Sequence, residues 1–169
     1  MTPDGRWQRL AEGNATQARK RVAAKVVIRD RDGRVLLVNP TYKDYWDLPG
    51  GMAEANEPPR LAAERELREE LDLALTVGRV LTVDWDGPHG PWDDQLVFVF
   101  DGRTLTAAQA AALRIADDAL AGFEFVAPTA AAGRLAAGLA DPLARALRAQ
   151  QDGTTDHAER HHPADGQRP

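Results

Sequence analysis

Three glutamates stand close together in a segment whose pattern is helical. With residues placed about 100° apart around a helix, Glu66, Glu69 and Glu70 share one face with the small side chain of Ala62. Carboxylates three and four residues apart repel by roughly a few tenths of a kcal/mol per pair, and a divalent cation between them reverses that sign. Clustered carboxylate oxygens suit Mg²⁺ or Mn²⁺, so this face predicts a metal site.

A loop with two glycines leads into this helix. Gly50 and Gly51 follow a proline, and glycine lets backbone carbonyls approach a metal ion or a phosphate closely. The loop and the helix together would hold a metal against a phosphate chain. Helices rich in Glu and Arg are also common as solvent-facing surfaces, here with Glu64 four residues before Arg68. Residue types alone therefore leave both interpretations open.

The spacing of these residues is more specific than their types. From Gly51 the chain reads G-x5-E-x7-R-E-L-x-E-E-x-D-L, which resembles the Nudix box, G-x5-E-x7-R-E-U-x-E-E-x-G-U, where U is aliphatic. The box spans residues 51–73 and departs from the pattern only at Asp72, which replaces a glycine. We expect Asp72 to form a left-handed helix cap, a conformation that Asp tolerates better than most residues.

The resemblance to the Nudix hydrolase family, of the MutT-like type, implies a fold and an activity. The implied fold is an α/β/α sandwich with a mixed central sheet, in which the box forms a loop–helix–loop. The implied activity is Mg²⁺- or Mn²⁺-dependent hydrolysis of a pyrophosphate bond in a nucleoside diphosphate linked to another moiety. Carried over residue by residue, the metal site is Gly50, Glu66, Glu69 and Glu70, and the residues that orient its carboxylates are Glu57 and Arg65.

A long loop over residues 84–94 is the candidate for substrate recognition. It carries Trp85, His89 and Trp92, and an aromatic ring stacked on a base contributes about 1–3 kcal/mol. The alternative is that the two tryptophans pack on the core or in a homodimer interface. Family members often place a further Glu in a loop near residues 115–122; here Asp118 or Asp117 would replace it, or would simply begin a turn.

Composition excludes several other functions. The chain has 169 residues and 26 acidic against 21 basic side chains, a net charge of −5, so we expect no specific nucleic-acid binding. It has no cysteine, which excludes thiolate metal sites and the cysteine-dependent isopentenyl diphosphate isomerases that share the Nudix fold, and which fits a cytoplasmic location. No run of about 18 apolar residues predicts a membrane span. The remaining alternative is a non-catalytic Nudix-fold module that binds nucleotides or regulates.

Hydrophobic periodicity and turn residues predict the elements that position the box. We expect an arm over residues 1–20, one Nudix domain over 21–150, and a polar, disordered tail over 151–169 that can be removed without loss of stability or activity. The predicted strands cover residues 22–28, 35–38, 74–83, 95–100 and 123–126. The predicted helices cover residues 58–71, 106–113, 129–139 and 142–150.

Overall fold

A mixed sheet of seven strands carries helices on both faces. The computed structural model describes residues 5–162, apart from the side chain of Ala137. The strands are β1 Arg21–Arg29, β2 Val35–Pro40, β3 Gly50–Met52, β4 Val80–Asp86, β5 Gln95–Thr104, β6 Leu120–Val126 and β7 Asp156–Arg160. The helices are α1 Gly5–Thr16, α2 Pro59–Leu71, α3 Ala107–Ala112, α4 Pro128–Arg134 and α5 Ala137–Asp152.

The sheet has the order β6-β2-β1-β5-β4-β7, and β3 pairs separately with β1. The pairs β1–β5 and β4–β7 are parallel, while the other pairs are antiparallel. Because β3 lies antiparallel beside β1, Gly50 and Gly51 are held against the middle of that strand. The sheet therefore fixes the loop that leads into α2.

Alternating side chains of the sheet form a separate core on each face. Val26 of β1 packs with Leu67 of α2, whereas the next residue, Val27, packs with Leu143 and Ala146 of α5. Successive residues of a strand point to opposite faces, so the apolar run of β1 supplies both cores. The predicted α/β/α sandwich with a mixed sheet is confirmed.

The helix of the box ends as expected. Asp72 adopts the left-handed conformation, with φ 51° and ψ 32°, and its amide donates to the carbonyl of Arg68. The carboxylate of Asp72 also pairs with Arg114. Asp72 thus takes the place of the usual glycine at this cap.

Several predicted element boundaries are wrong. The strand predicted over residues 74–83 begins only at Val80, since the amide of Val77 is bonded to the Glu64 carboxylate at 3.1 Å and not to a strand. The helix predicted over residues 129–139 ends at Arg134, whose carbonyl accepts from the amide of Trp46 at 3.0 Å. The next helix begins before Pro142 and includes it.

The expectation of a disordered tail after Gln150 is wrong for the residues that the structure describes. Helix α5 continues to Asp152, and β7 then pairs in parallel with β4 from Thr82 to Asp86. The strand lies at the edge of the sheet, where every second residue is exposed, and this exposure fits its polar sequence. Backbone hydrogen bonds and ion pairs such as Arg145–Asp156 hold it in place. Residues 163–169 lie outside the described part.

The predicted N-terminal arm is helical over α1, and that helix has no buried residue. Within residues 5–162, none of the helices combines the length and the apolar character that crossing a bilayer requires. The first and last described elements thus differ: α1 lies outside the core, whereas β7 belongs to the sheet.

Removal of β7 should destabilise the domain. We expect a chain of residues 1–152 to melt several degrees below a chain of residues 1–162. The shorter chain loses the backbone ladder to β4, the Asp156 partner of Arg145, and the contacts of Arg160 and His162 with Asp86. Thermal unfolding followed by circular dichroism measures the difference. Equal melting temperatures for the two shortened chains would show that β7 contributes nothing to the sheet.

Candidate active site

Two glycines let the carboxylates of α2 approach the backbone of β3. Gly50 has φ +114°, and a Cβ there would lie 2.2 Å from the carbonyl oxygen of Ala24. A Cβ on Gly51 would lie 2.5 Å from the carboxyl carbon of Glu66. The clash at Gly50 is with backbone and its φ is positive, so that position requires glycine. A side chain at Gly51 would instead push the Glu66 carboxylate away from the loop. This close approach brings the carboxylates of α2 and the loop carbonyls together.

The carboxylate of Glu70 is the most strongly perturbed acid of the site. Its Oε2 accepts the amide of Gly50 at 3.0 Å. Burial raises the pKa of Glu70 to about 7, and the Gly50 amide and the charge of Lys25 offset only part of that effect. The nearby carboxylates of Glu66 and Asp47 raise the pKa further. A cation beside Glu70 would stabilise the ionised form of this buried carboxylate.

Arg65 connects the loop to the helix with all five of its N–H groups. Nε and Nη2 donate to the two oxygens of Glu57, each at 3.0 Å, and Nη2 also donates to the carbonyl of Met52 at 3.0 Å. Nη1 donates to Glu66 at 3.0 Å and to Glu69 at 2.9 Å. These bonds raise the pKa of Arg65, with the bond to Glu57 first, and hold the pKa of Glu57 below its usual value.

The three carboxylates of the predicted metal site are not equivalent. Glu66 and Glu70 line a cleft together with Gly50 and Gly51. Glu69 is not among the residues that line this cleft, and 54% of its side chain is exposed while it pairs with Arg65. The structure thus brings Glu66 and Glu70 to the glycines and holds Glu69 on the neighbouring guanidinium.

A lysine that the sequence analysis did not single out lies beside the glycines. Nζ of Lys25 donates to the carbonyls of Gly50, at 2.7 Å, and Leu48, at 3.2 Å, and to the carboxylate of Asp47 at 3.1 Å. Burial alone would raise the pKa of Asp47, but the charges of Lys25 and Lys43 outweigh burial and lower it. A lysine in the middle of the apolar run of β1 was the available signal, because an unpaired charge is rare there.

A cleft of about 680 Å³ joins the carboxylates of α2 to the predicted substrate loop. The irregular part of that loop is shorter than expected, residues 87–94, because β4 extends to Asp86. Within it, His89 and Trp92 exchange two backbone hydrogen bonds of 3.0 Å across a tight turn. Both side chains line the cleft, and the guanidinium of Arg21 lies 4.7 Å from the ring centre of Trp92.

Two of the predicted substrate residues lie outside this cleft. Trp85 lines a neighbouring cavity of about 210 Å³ that shares Asp86 and Gln95 with the cleft, and its indole N–H donates to Asp94 at 2.7 Å. Asp118 is exposed and does not line the cleft, whereas its neighbour Asp117 does. Asp117 also accepts the amide of Ala119 at 2.8 Å, which is the turn that the alternative interpretation predicted.

Other cleft residues were missed because they come from distant parts of the chain. The C-terminal segment brings Arg160 and His162 into the cleft beside Asp86 and Gln95. An unusual density of histidine near the end of the chain was the only signal in the sequence. The long sequence separation between β4 and β7 concealed the contact.

The donor set beside the glycines fits a hard divalent cation. It consists of the carboxylates of Glu66 and Glu70 and the carbonyl of Gly50, all oxygen ligands of the kind that Mg²⁺ and Mn²⁺ prefer. Burial disfavours the ionised form of Glu70 and so raises its pKa, and such a cation would offset that effect. The residues of the site therefore fit the metal that the box implies.

The Nudix class of fold has a mixed sheet between helices and a loop–helix unit that places carboxylates beside glycines. This structure has both features. A family model described as NUDIX domain matches residues 19–149, which is most of the chain. The chain belongs to the Nudix hydrolase family, as the spacing of the box predicted.

Curated relatives of the chain include pyrophosphohydrolases. It is 39% identical to the ADP-ribose pyrophosphatase of Mycobacterium tuberculosis over 83 residues, which are 46% of this chain and 39% of the relative. It is 41% identical to the CTP pyrophosphohydrolase of Escherichia coli over 63 residues, which are 35% of this chain and 47% of the relative. The chain thus spans less than half the length of either relative.

A solved structure shows the same fold. The MutT protein of Methanosarcina mazei Go1 superimposes with a TM-score of 0.65 at 20% identity, covering 81% of this chain and 99% of that protein. At this identity the likeness concerns the fold, and it extends well beyond the box.

The raised pKa of Glu70 predicts a pH-dependent stability of the metal-free protein. Between the ordinary value of 4.5 and about 7, the unfolded chain loses this proton while the folded chain keeps it, so the free energy of unfolding falls as pH rises. Across that window the wild type should lose about 3 kcal/mol relative to Glu70→Gln. Urea unfolding of both proteins in EDTA, at a series of pH values, measures the difference. A constant difference between them would contradict the assigned environment.

Proposed function

We propose that this protein is a Mg²⁺- or Mn²⁺-dependent hydrolase that cleaves a pyrophosphate bond in a nucleoside diphosphate linked to another moiety. The observation that carries the proposal is the placement of Glu66 and Glu70 against Gly50 and Gly51 in one cleft. Metal and phosphate chemistry needs oxygen ligands and backbone groups at close range, and paired glycines provide that access.

The residues of the site have different roles in the proposed reaction. When bound, the metal neutralises the diphosphate and lowers the pKa of an attacking water. Glu70 fixes its Oε2 on the Gly50 amide, and its Oε1 accepts no hydrogen bond from the described residues. The carboxylates of Glu66 and Glu70 would hold the cation, and one of them would accept the proton of the water. Arg65 and Glu57 position these carboxylates, and Arg65 also pairs with Glu69.

Positive charge near the glycines supports binding of a phosphate chain. Lys25 donates to the Gly50 carbonyl, and Lys43 lines the same cleft. The names of the relatives, an ADP-ribose pyrophosphatase and a CTP pyrophosphohydrolase, support a substrate with a nucleoside attached to a diphosphate. We assign the nucleoside to the part of the cleft that Trp92 and His89 line.

Hydrolysis by matched variants tests the reaction. The screen covers ADP-ribose, nucleotide sugars, nucleoside triphosphates, dinucleoside polyphosphates and capped RNA, with and without Mg²⁺. Glu70→Gln should keep the fold and lower kcat by orders of magnitude on any substrate that the wild type cleaves. Glu54→Gln removes an exposed charge nearby and should keep the wild-type rate. Tight nucleotide binding without turnover by the wild type would instead identify a non-catalytic module.

Recognition of the substrate by the loop is tested by comparing Trp92, which lies in the loop, with Trp85 of β4. Trp92→Ala should raise KM roughly 5- to 150-fold with a smaller effect on kcat, because a ring stacked on a base contributes about 1–3 kcal/mol. Trp85→Ala serves as the comparison, because Trp85 does not line the cleft but its indole holds Asp94 of the loop, and it should raise KM less than Trp92→Ala does. KM, melting temperature and solution mass are measured for both variants. An unchanged KM in Trp92→Ala would remove the loop from the substrate site.

A further inference from the structure

Three metal-binding side chains converge in the cleft from separate parts of the chain. Asp86 ends β4, His89 stands in the loop 87–94, and His162 follows β7. One ligand atom from each lies within 4.8 Å of the other two. The rings of His89 and His162 lie 4.6 Å apart at their centres. None of these residues belongs to the Nudix box, so its chemistry does not account for the cluster.

The hydrogen bonds of His89 leave one ring nitrogen free to bind a metal. Its Nδ1 lies 2.9 Å from the carbonyl oxygen of Gly87. A carbonyl can only accept, so Nδ1 carries the hydrogen and the lone pair of a neutral ring is on Nε2. Histidine ligands in metal sites characteristically donate their other N–H to a carbonyl or carboxylate in this way.

Asp86 is held by a similar supporting bond. Its Oδ2 accepts the side-chain amide of Gln95 at 3.2 Å, and its Oδ1 accepts Nε2 of His162 at 2.8 Å. Nη1 of Arg160 forms an ion pair with Oδ1 at 3.6 Å, a distance too long for a hydrogen bond. Oδ1 of Asp86 therefore accepts a hydrogen bond from Nε2 of His162. A metal ion bound by both residues would replace the proton of that hydrogen bond.

The ligand types favour a transition metal over Mg²⁺. Two imidazoles with one carboxylate suit Zn²⁺ and related ions, whereas Mg²⁺ prefers oxygen ligands alone. Zn²⁺ lies about 2.0–2.2 Å from such ligands, so a small closure of the three side chains would complete their share of the coordination shell. Solvent in the cleft supplies a fourth ligand.

We propose that Asp86, His89 and His162 bind Zn²⁺, or a transition-metal ion of similar preference, at a site distinct from the carboxylates of α2. The ion would join the C-terminal segment to the substrate loop and fix the loop in place beside Trp92. Metal binding that links residues far apart in the sequence also stabilises the fold that brings them together. The site does not depend on the proposed hydrolytic activity.

Zn²⁺ binding can be measured without any substrate. Isothermal titration of the full chain with Zn²⁺, in a large excess of Mg²⁺, should show one strong site. His162→Ala and His89→Ala should each weaken the binding by about tenfold or more, because each loses one ligand. His157→Ala is the matched control: His157 is exposed on β7 and does not belong to the cluster. The variant Glu66→Gln/Glu70→Gln should keep the site.

The same set of variants decides against the proposal if the ion binds elsewhere. Zn²⁺ affinity that survives both histidine substitutions, that is lost in Glu66→Gln/Glu70→Gln, or that is absent in the wild type would overturn it. His162→Asn separates a structural role from ligation, because the amide can still donate to Asp86 but supplies no imidazole. Retention of Zn²⁺ binding in His162→Asn would also contradict the site. Melting temperatures in EDTA show that each variant is folded.

Discussion

Carboxylates gathered on one face of α2 repel one another, and the guanidinium of Arg65 offsets much of that repulsion. Its five N–H groups reach Glu57 and the Met52 carbonyl on the loop, and Glu66 and Glu69 on the helix. A single planar group therefore joins the loop and the helix into one unit. The position of the glycines relative to the acids follows from that unit and from the pairing of β3 with β1.

Glu70 is the acid that this arrangement leaves without a cationic side chain in direct contact. It accepts only a backbone amide among its described hydrogen bonds, and burial raises its pKa. Lys25 is near enough to lower that pKa but bonds to Gly50, Leu48 and Asp47. The site combines a compensated acid, Glu66, with an undercompensated one. A divalent cation would resolve that imbalance, since it would supply the missing charge at the oxygen ligands.

Much of the box could be predicted because its determinants are local. The spacing of Glu66, Glu69 and Glu70 depends on helical geometry alone, and the left-handed cap at Asp72 depends on one residue type. The exclusion of Trp85 from the cleft could have followed from the alternation of side chains along β4, had the end of that strand been placed at Asp86. The sequence showed an irregular loop there instead.

The C-terminal segment could not be predicted from periodicity. β7 is an edge strand whose residues alternate between half-buried and exposed, and it carries no apolar pattern because backbone pairing with β4 holds it. That pairing brings His162 to Asp86, although the two residues are 76 positions apart in the sequence. Long-range backbone contacts of polar strands leave little trace in composition, which is why the segment resembled a disordered tail.

Direct binding of Mn²⁺ to the carboxylates of α2 tests the central claim of a metal centre beside Gly50. Electron paramagnetic resonance of free Mn²⁺ during a titration gives the affinity for the wild type, Glu70→Gln and the charge-matched control Glu54→Gln. The account predicts binding to the wild type and the control, and binding about tenfold weaker or more in Glu70→Gln. Equal Mn²⁺ affinity in all three proteins would contradict it.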